Sequence, residues 1–523
     1  LQNLKIYRSS GSDNIHPQVL RETAGASSIP LEIIFRKSIT LGECPSDWRS
    51  ANVTPIHKKG DRTVPSNYRP VSLTSQVCKV LESIVKDKIV DHLKKNNTLS
   101  DNQHGFREGR SCLTNLLETL EMWTGFLDDG DGVDVAYLDF RKAFDLVSHR
   151  HLLYKMSKFG ITGQVLKWVE SFLDQRSERV VIRGTSSEPF AVTSGVPQGS
   201  VLGPVLFLIF INDLPLEVIS PLSLFADDSK VFSRIVSDKN KRRNGNQTDN
   251  NTLQRDLDTI REWARKWKME FNVDKCKIMH IGKSNPRRNY TMNGTQLATV
   301  TEERDLGVLI DEKLLFDKHI REIVNKANRM LGLIRIGFTC LDADVFMNLY
   351  LVMVRPLLEY CVQAWSPHRR RDISLIEGVQ RRATKLVPGL KDLSYEQRLV
   401  RLKLTTLEER RTRGDMIQAY KMITRKEDIN PDKFFKMRSQ KGNPNVGHRR
   451  RIFKKRINSK LNVRKYFFSQ RVVGGITPRG IALGWNMLPA RAVRAGTTST
   501  FKKNLDKFVN GRRASRGVSA FWR

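Results

Sequence analysis

Leu222-Ser223-Leu224-Phe225-Ala226-Asp227-Asp228-Ser229-Lys230-Val231-Phe232-Ser233-Arg234-Ile235 is a pair of apolar runs on either side of an acidic break. Aromatic and β-branched residues flanking a short polar break predict a β-hairpin with Asp227 and Asp228 in its turn. Upstream, Val133-Asp134-Val135-Ala136-Tyr137-Leu138-Asp139 is a second strand candidate that also finishes on an aspartate. If these strands are neighbours in one sheet, three carboxylates from distant parts of the chain converge. An Asp-Asp pair is also an ordinary turn former, so the surroundings must decide its meaning.

Working outward, the pattern mixes strands and helices. A strand is expected at 52–56, followed by the basic loop His57-Lys58-Lys59-Gly60-Asp61-Arg62. A long helix over 75–95 would bury Val77, Val80, Leu81, Ile84, Val85, Ile89 and Leu93 along one face. Asp13 is placed to cap an earlier helix. Two helical segments fill 149–174, a hairpin around Gly184 fills 179–192, and Leu253, Leu257, Ile260, Trp263 and Trp267 mark a later helix face before a strand at 276–281. The fold class is therefore α+β, a sheet with helices on one face. Beyond about Asp317 the period becomes helical, which predicts a boundary there.

Composition narrows the class. Length 523 exceeds what one core usually organises, so several packed units are expected. Lys and Arg number 90 against 55 Asp and Glu, a net +35 that points to a polyanionic partner, nucleic acid first. From Lys433 to Leu505 there is no carboxylate side chain, while Arg449-Arg450-Arg451 and Lys454-Lys455-Arg456 fall inside that interval, so phosphate contact is expected. Gly442-Asn443-Pro444-Asn445 leaves a partly disordered tail as the alternative to a folded region, and the return of apolar residues around Phe467, Val472 and Trp485 favours the folded one. The longest apolar run, at 205–211, is far too short to cross a bilayer, and the chain reads as soluble. Six scattered cysteines without CxxC argue against a disulfide scaffold or a zinc knuckle. The opening Leu1 and the lack of a leader are read as a fragment without a secretory signal. For the acidic cluster, oxygen-only donors point to Mg²⁺ or Mn²⁺, and two such ions about 4 Å apart can activate a hydroxyl and stabilise a leaving pyrophosphate.

Three blocks then stand in order: Ala136-Tyr137-Leu138-Asp139-Phe140-Arg141-Lys142-Ala143-Phe144-Asp145, Ser194-Gly195-Val196-Pro197-Gln198-Gly199-Ser200-Val201-Leu202-Gly203-Pro204, and Phe225-Ala226-Asp227-Asp228. Together they resemble the palm of reverse transcriptases, and nearly the whole chain is similar to non-LTR (LINE-type) retrotransposon reverse transcriptases of the jockey and chicken-repeat branch. The resemblance implies a right-hand polymerase: extension and fingers over 1–132, palm over 133–311 with 145–193 partly fingers, helical thumb over 312–400, and a basic nucleic-acid-binding region over 401–523. It implies an RNA-directed DNA polymerase that extends a DNA primer or target 3′ end on the element's RNA, using dNTPs.

The resemblance also implies roles. Asp139, Asp227 and Asp228 would hold the metals with the Phe140 carbonyl. Phe144 would be the steric gate against a 2′-hydroxyl, and Gln198 with Gly199 would meet the nascent pair. Lys58 and Arg69, the latter in Asn67-Tyr68-Arg69-Pro70, would grip the triphosphate, with Lys59 able to replace Lys58. Arg107 and Arg110, from Gln103-His104-Gly105-Phe106-Arg107 and Gly109-Arg110-Ser111, would touch the template. Lys275 would protonate pyrophosphate, with Lys277 its rival on the same strand. Leu306 and Gly307 would form the primer grip, whereas Trp365 and Tyr360 fit core positions as well as stacking on bases. The loop over 237–251 and the insertion Gly474-Gly475-Ile476-Thr477-Pro478-Arg479-Gly480 depart from the family pattern. The endonuclease that precedes this region in the family is not in the sequence, so target nicking is not assigned. Two other readings share these features: a catalytically inactive RNA-binding remnant, and a viral-type RNA-dependent RNA polymerase, disfavoured by the aromatic at 144 and by Ala-Asp-Asp in place of Gly-Asp-Asp. The implied location is a cytoplasmic ribonucleoprotein that reaches the nucleus. The sequence leaves the oligomeric state open.

Overall fold

The structure is a computed structural model that describes all residues except 238–239, 241–250, 339–340, 438–449, 454, 456, 459–460, 476–482 and 515–523. The long 237–251 loop, the Gly474–Gly480 insertion and the basic positions Arg449, Lys454 and Arg456 lie wholly or partly outside the described residues. The chain is a mixed α/β structure.

A short helix, α1 (Pro17–Glu22), and a longer one, α2 (Ala24–Leu41), lead into β1 (Ser50–His57) and β2 (Tyr68–Leu73). Asp13 does not cap α1. Its carboxylate accepts from the Ile15 amide at 3.1 Å in a local turn, and His16 is the cap, accepting from the Gln18 amide through Nδ1. Helix α3 (Gln76–Lys95) starts at Ser75, whose hydroxyl accepts from the Cys78 amide. Its buried stripe is Val77, Leu81, Val85, Ile89 and Leu93, whereas Val80 is half-buried and Ile84 is exposed, so the apolar face is narrower than the sequence period implied.

Helix α4 (Cys112–Asp128) then feeds β3 (Gly132–Leu138), and α5 (His149–Lys158) and α6 (Gly163–Leu173) fill the next interval. Strands β4 (Arg176–Ile182), β5 (Thr185–Ser186) and β6 (Phe190–Val192) join β1 and β2 in one five-stranded sheet. The apolar α7 (Gly203–Ile211) leads to β7 (Leu222–Phe225) and β8 (Asp228–Ile235). After the helix Thr252–Lys266 come β9 (Lys277–Ile281), β10 (Thr291–Met292), β11 (Thr295–Gln296), β12 (Ala298–Val300), β13 (Glu302–Asp305) and β14 (Val308–Asp311).

The sheet that matters for chemistry has the order β12-β9-β3-β8-β7. Helices do not cover it on one face only. Val133, Val135, Phe232, Met279 and Ile281 enter one core, and Ala136, Leu138, Val231 and Ile278 enter another on the opposite face. Alternation along β3 sends apolar side chains both ways, which suits a strand buried on both faces.

The first of these cores does not stop at Asp317. It runs from Leu116 through Ile320 and Val354 to Trp485 and Val509, so the sheet, the helix Asp317–Gly337 and the C-terminal helices share one apolar interior. Glu121 on α4 receives Arg464 at 2.8 Å and Ser469 at 2.7 Å, and Lys433 reaches Glu118 at 3.0 Å. Part of the C-terminal positive charge is thereby neutralised by carboxylates of the body. This region is a packed portion of the fold among the described residues.

Candidate active site

Asp139 follows the last residue of β3, and its backbone is held by the segment just before β9. The Asn272 amide donates to the Asp139 carbonyl at 2.8 Å, and the rings of Phe140 and Phe271 stack at 4.3 Å. Strands β3 and β8 are antiparallel neighbours with Leu138 opposite Ser229, which brings Asp139 to the level of Asp228. Phe225 pairs with Asp228, so the turn consists of Ala226 and Asp227, and Asp228 is the first residue of the strand rather than part of the turn.

The three carboxylates sense one another. Burial pushes the Asp228 carboxyl up to about 6, with the negative charges of Asp227, Asp305 and Asp139 adding to the effect. Asp227 is raised too, by burial first and with Asp139 adding to it, against the opposing hydrogen bond from its own backbone amide and, more weakly, the charges of Arg69 and Lys58. Both cations belong to the β1–β2 hairpin, where Arg69 is opposite Ile56 and the Lys58 amide donates to the Asn67 carbonyl at 2.8 Å. Lys275 sits on a short turn at Val273–Lys275, not on β9, with its ammonium 3.4 Å from Asp139. Lys277, the first residue of β9, donates instead to the Asp274 carbonyl.

A cavity of about 170 Å³ opens beside these groups, lined by Asp139, Asp228 and Lys275 and, across from them, by Arg304, Asp305 and Leu306. Lys230 and Asp305, which also line it, form a buried ion pair. The Tyr137 hydroxyl, the Asn115 side-chain carbonyl and the Ser229 hydroxyl meet no hydrogen-bond partner there. Leu306 and Gly307, at φ +46° and +86°, make the two-residue turn between β13 and β14, a left-handed pair that matches strand twist. Tyr360 donates to the Leu306 carbonyl at 2.9 Å and so ties that turn to the helical part, while Trp365 is core.

Among the described residues no three His, Cys, Asp or Glu side chains form a finished metal cage. The chemistry of the donor set still fits a hard cation: mutually repelling carboxylates open on one side, the form in which Mg²⁺ is held by one or two carboxylates plus water and phosphate oxygens.

Phe144 stacks on Phe207 at 4.4 Å and meets the edge of Phe106 at 6.5 Å, so its ring is fixed from beneath. Gln198 donates through Nε2 to Asp145 at 3.0 Å, and its carbonyl accepts from the Ser72 amide at 2.8 Å. Gly199 has φ +144°, and a Cβ there would lie 2.1 Å from the Ser72 carbonyl oxygen. Only glycine allows that approach of the loop to β2. Glu82 of α3 fixes the same loop from behind, accepting from the Val201 and Leu202 amides at 2.7 and 3.0 Å.

Arg107 and Arg110 are both held in ion pairs. Both donate to Asp428, at 2.8 and 2.9 Å, and Arg110 also to Asp101 at 2.6 Å, with Arg110 nearly enclosed. Their committed geometry is an ion-pair bolt between the α4 approach and the C-terminal region. Sequence reasoning missed Asp145, the Lys230–Asp305 pair and Glu82. Asp145 stood in the quoted block, but its partner Gln198 is visible only after folding.

A family model described as reverse transcriptase (RNA-dependent DNA polymerase) matches residues 56–333. The RNA-directed DNA polymerase from mobile element jockey of Drosophila melanogaster is 26% identical over 403 residues, 74% of this chain and 43% of that protein. The protein of the same description from Drosophila funebris is 28% identical over 413 residues, with the same two shares. The probable RNA-directed DNA polymerase from transposon BS of Drosophila melanogaster is 26% identical over 407 residues, again 74% and 43%. The chain spans less than half the length of these relatives. A telomerase chain from Candida albicans, solved in complex with a fragment of telomeric RNA, superimposes loosely, with TM-score 0.38 and 9% identity over 69% of this chain and 67% of that one. With more than half of its residues inside the family match, and with the aspartates of β3 and of the β7–β8 turn inside it, the chain belongs to the reverse transcriptase (RNA-dependent DNA polymerase) family.

Proposed function

We propose that this chain is the RNA-directed DNA polymerase of a jockey-like non-LTR retrotransposon, extending a DNA primer 3′ end on the element's RNA with dNTPs. The observation that carries the reading is the register of β3 on β8, which brings Asp139 level with the Asp227–Asp228 pair, with the charges of Arg69 and Lys58 acting on Asp227. A right-hand arrangement follows in this reading, with extension and fingers over 1–132, palm over 133–311, thumb over 312–400 and a basic region over 401–523.

Asp139, Asp227, Asp228 and the Phe140 carbonyl would hold two Mg²⁺ or Mn²⁺ ions, which when bound lower the pKa of the primer hydroxyl and balance the charge of pyrophosphate. Arg69 and Lys58 grip the triphosphate, the first as a planar bidentate fork and the second as a point charge. Phe144, backed by Phe207, excludes a 2′-hydroxyl, and Gln198, oriented by Asp145, contacts the nascent pair with Gly199 beside it. Lys275 gives its proton to the departing pyrophosphate. Leu306 and Gly307 hold the primer end. No described helix is long and apolar enough to cross a membrane, and the net charge of +35 suits a nucleic-acid duplex. A cytoplasmic ribonucleoprotein that reaches the nucleus is the location this activity requires.

The test is primer extension on an RNA template with Mg²⁺ or Mn²⁺. DNA product is expected from the native sequence and not from Asp228→Asn, and Phe144→Ala is expected to raise rNTP use relative to dNTP about tenfold or more. An active protein in which Asp228→Asn leaves the rate unchanged contradicts the assignment.

A further inference from the structure

The residue before Asp227 is strained. Ala226 has φ +55°, in the left-handed region that residues bearing a Cβ rarely enter and keep only where their neighbours over-determine it. Phe225 and Asp228 close the turn, so both backbone polar groups of Ala226 need partners outside the β7–β8 pairing. One side chain meets both. Gln103, almost wholly buried, accepts from the Ala226 amide through Oε1 at 2.8 Å and donates through Nε2 to the Ala226 carbonyl at 3.3 Å. The same Oε1 accepts from the Gly105 amide at 2.8 Å, so the carboxamide cannot turn without losing all three bonds.

The flanking backbone is equally close. The His104 amide donates to the Leu224 carbonyl at 2.9 Å, the Leu224 amide donates to the Asn102 carbonyl at 2.9 Å, and Asn115 adds a 3.0 Å bond to Leu224. A Cβ on Gly105 would lie 2.3 Å from the Ala226 nitrogen. Residues 102–105 therefore lie flush against β7, the edge strand of the catalytic sheet.

We infer that Gln103 is a positioning residue for nucleotidyl transfer: its carboxamide locks the Ala226–Asp227 turn in the strained conformation that keeps Asp227 beside Asp139. It touches neither the substrate nor the carboxylates, and the inference rests on the polymerase reading above. The task needs an acceptor and a donor on one planar neutral group. Leucine supplies neither, and glutamate supplies the acceptor alone while bringing another negative charge toward the three already gathered.

The test uses the full chain with Gln103→Leu and Gln103→Glu, read by primer extension and by amide hydrogen exchange without substrate or metal. Gln103→Leu is expected to lower kcat at least tenfold while the dNTP KM and the template-primer Kd stay within twofold, with Gln103→Glu intermediate. Exchange in the 222–230 segment is expected to quicken at least tenfold while β3, β9 and the helix Thr252–Lys266 keep their rates. Should the leucine variant not fold, the glutamate variant carries the same exchange comparison. Native kcat with native exchange at 222–230 overturns the inference. So does a loss spread evenly over kcat, KM, Kd and exchange throughout the sheet, which would make Gln103 a packing residue. A native protein that extends no primer refutes the polymerase reading alone, because faster exchange at 222–230 would still support the clasp and unchanged exchange would still sink it.

Discussion

Asp228 illustrates how a side chain that lines the candidate site can be costly to the fold. Its carboxyl is pushed up to about 6, first by burial and then by Asp227, Asp305 and Asp139, although the side chain remains open to the cavity. A carboxyl whose folded pKa exceeds its unfolded value of about 4 binds more protons folded than unfolded between those two values, so stability falls as pH rises through that window. Asp228→Asn is uncharged at every pH and escapes the penalty. The metal-free variant is expected to be more stable than the native protein at pH 7, by less than about 1 kcal/mol once solvent screening is allowed for, and equal to it near pH 4. Thermal melts at both pH values check this; a variant less stable at pH 7 contradicts the charge crowding. At this scale the meeting of Asp139 with the Asp227–Asp228 pair was legible, because each stands at the end of a locally patterned strand. The ion pairs of Arg107 and Arg110 were not, because their partner Asp428 lies more than 300 positions downstream.

Elements were legible to the extent that their periodicity was local. The β7–β8 hairpin, the 75–95 helix and the helix after Asn251 stand close to where their periods placed them. The one-faced sheet did not survive, since β3 sends apolar residues both ways and its second cover, α4, precedes it in the chain. Leu306 and Gly307 were singled out in the sequence, but the element that steadies their turn was not. Tyr360 spans from the helical part to the Leu306 carbonyl, and its ring lies 3.2 Å from where a Gly307 Cβ would stand. Tyr360→Phe removes that one bond and is expected to cost about 1 kcal/mol or less in stability. Its larger effect should be on how long the primer end is held, read as shorter products in a single binding event under a heparin trap. Product lengths equal to those of the native protein would show that the turn needs no such tie.

Across the whole molecule, part of the surplus of positive charge is paired within the fold. Glu118, Glu121 and Asp428 take up Lys433, Arg464, Arg107 and Arg110, and the C-terminal helices complete the core that begins under the catalytic sheet. Deleting residues from Lys441 onward would strip Phe467, Phe468, Val472, Trp485 and Phe501 from that core, so the truncated chain is expected to unfold rather than merely bind RNA less tightly. Glu121→Ala isolates the electrostatic part: it leaves the buried Arg464 without its carboxylate, at a cost of about 3–5 kcal/mol, measurable by denaturant titration. A change below about 1 kcal/mol would mean that Arg464 finds water instead. This joining of distant segments was invisible in the sequence, because a stretch without carboxylates reads as a free cationic surface until its partners on α4 are known.

The central claim is that Asp139 and the Asp227–Asp228 pair, far apart in the chain, share bound metal. Iron(II) substituted at the site and supplied with ascorbate and peroxide cuts the backbone only where the ion sits. Cleavage is predicted at two places together, beside Asp139 and beside Asp227, with Mg²⁺ competing at both and Asp228→Asn weakening both. Cuts at one location alone, or at two that respond independently to competition and substitution, would contradict the account.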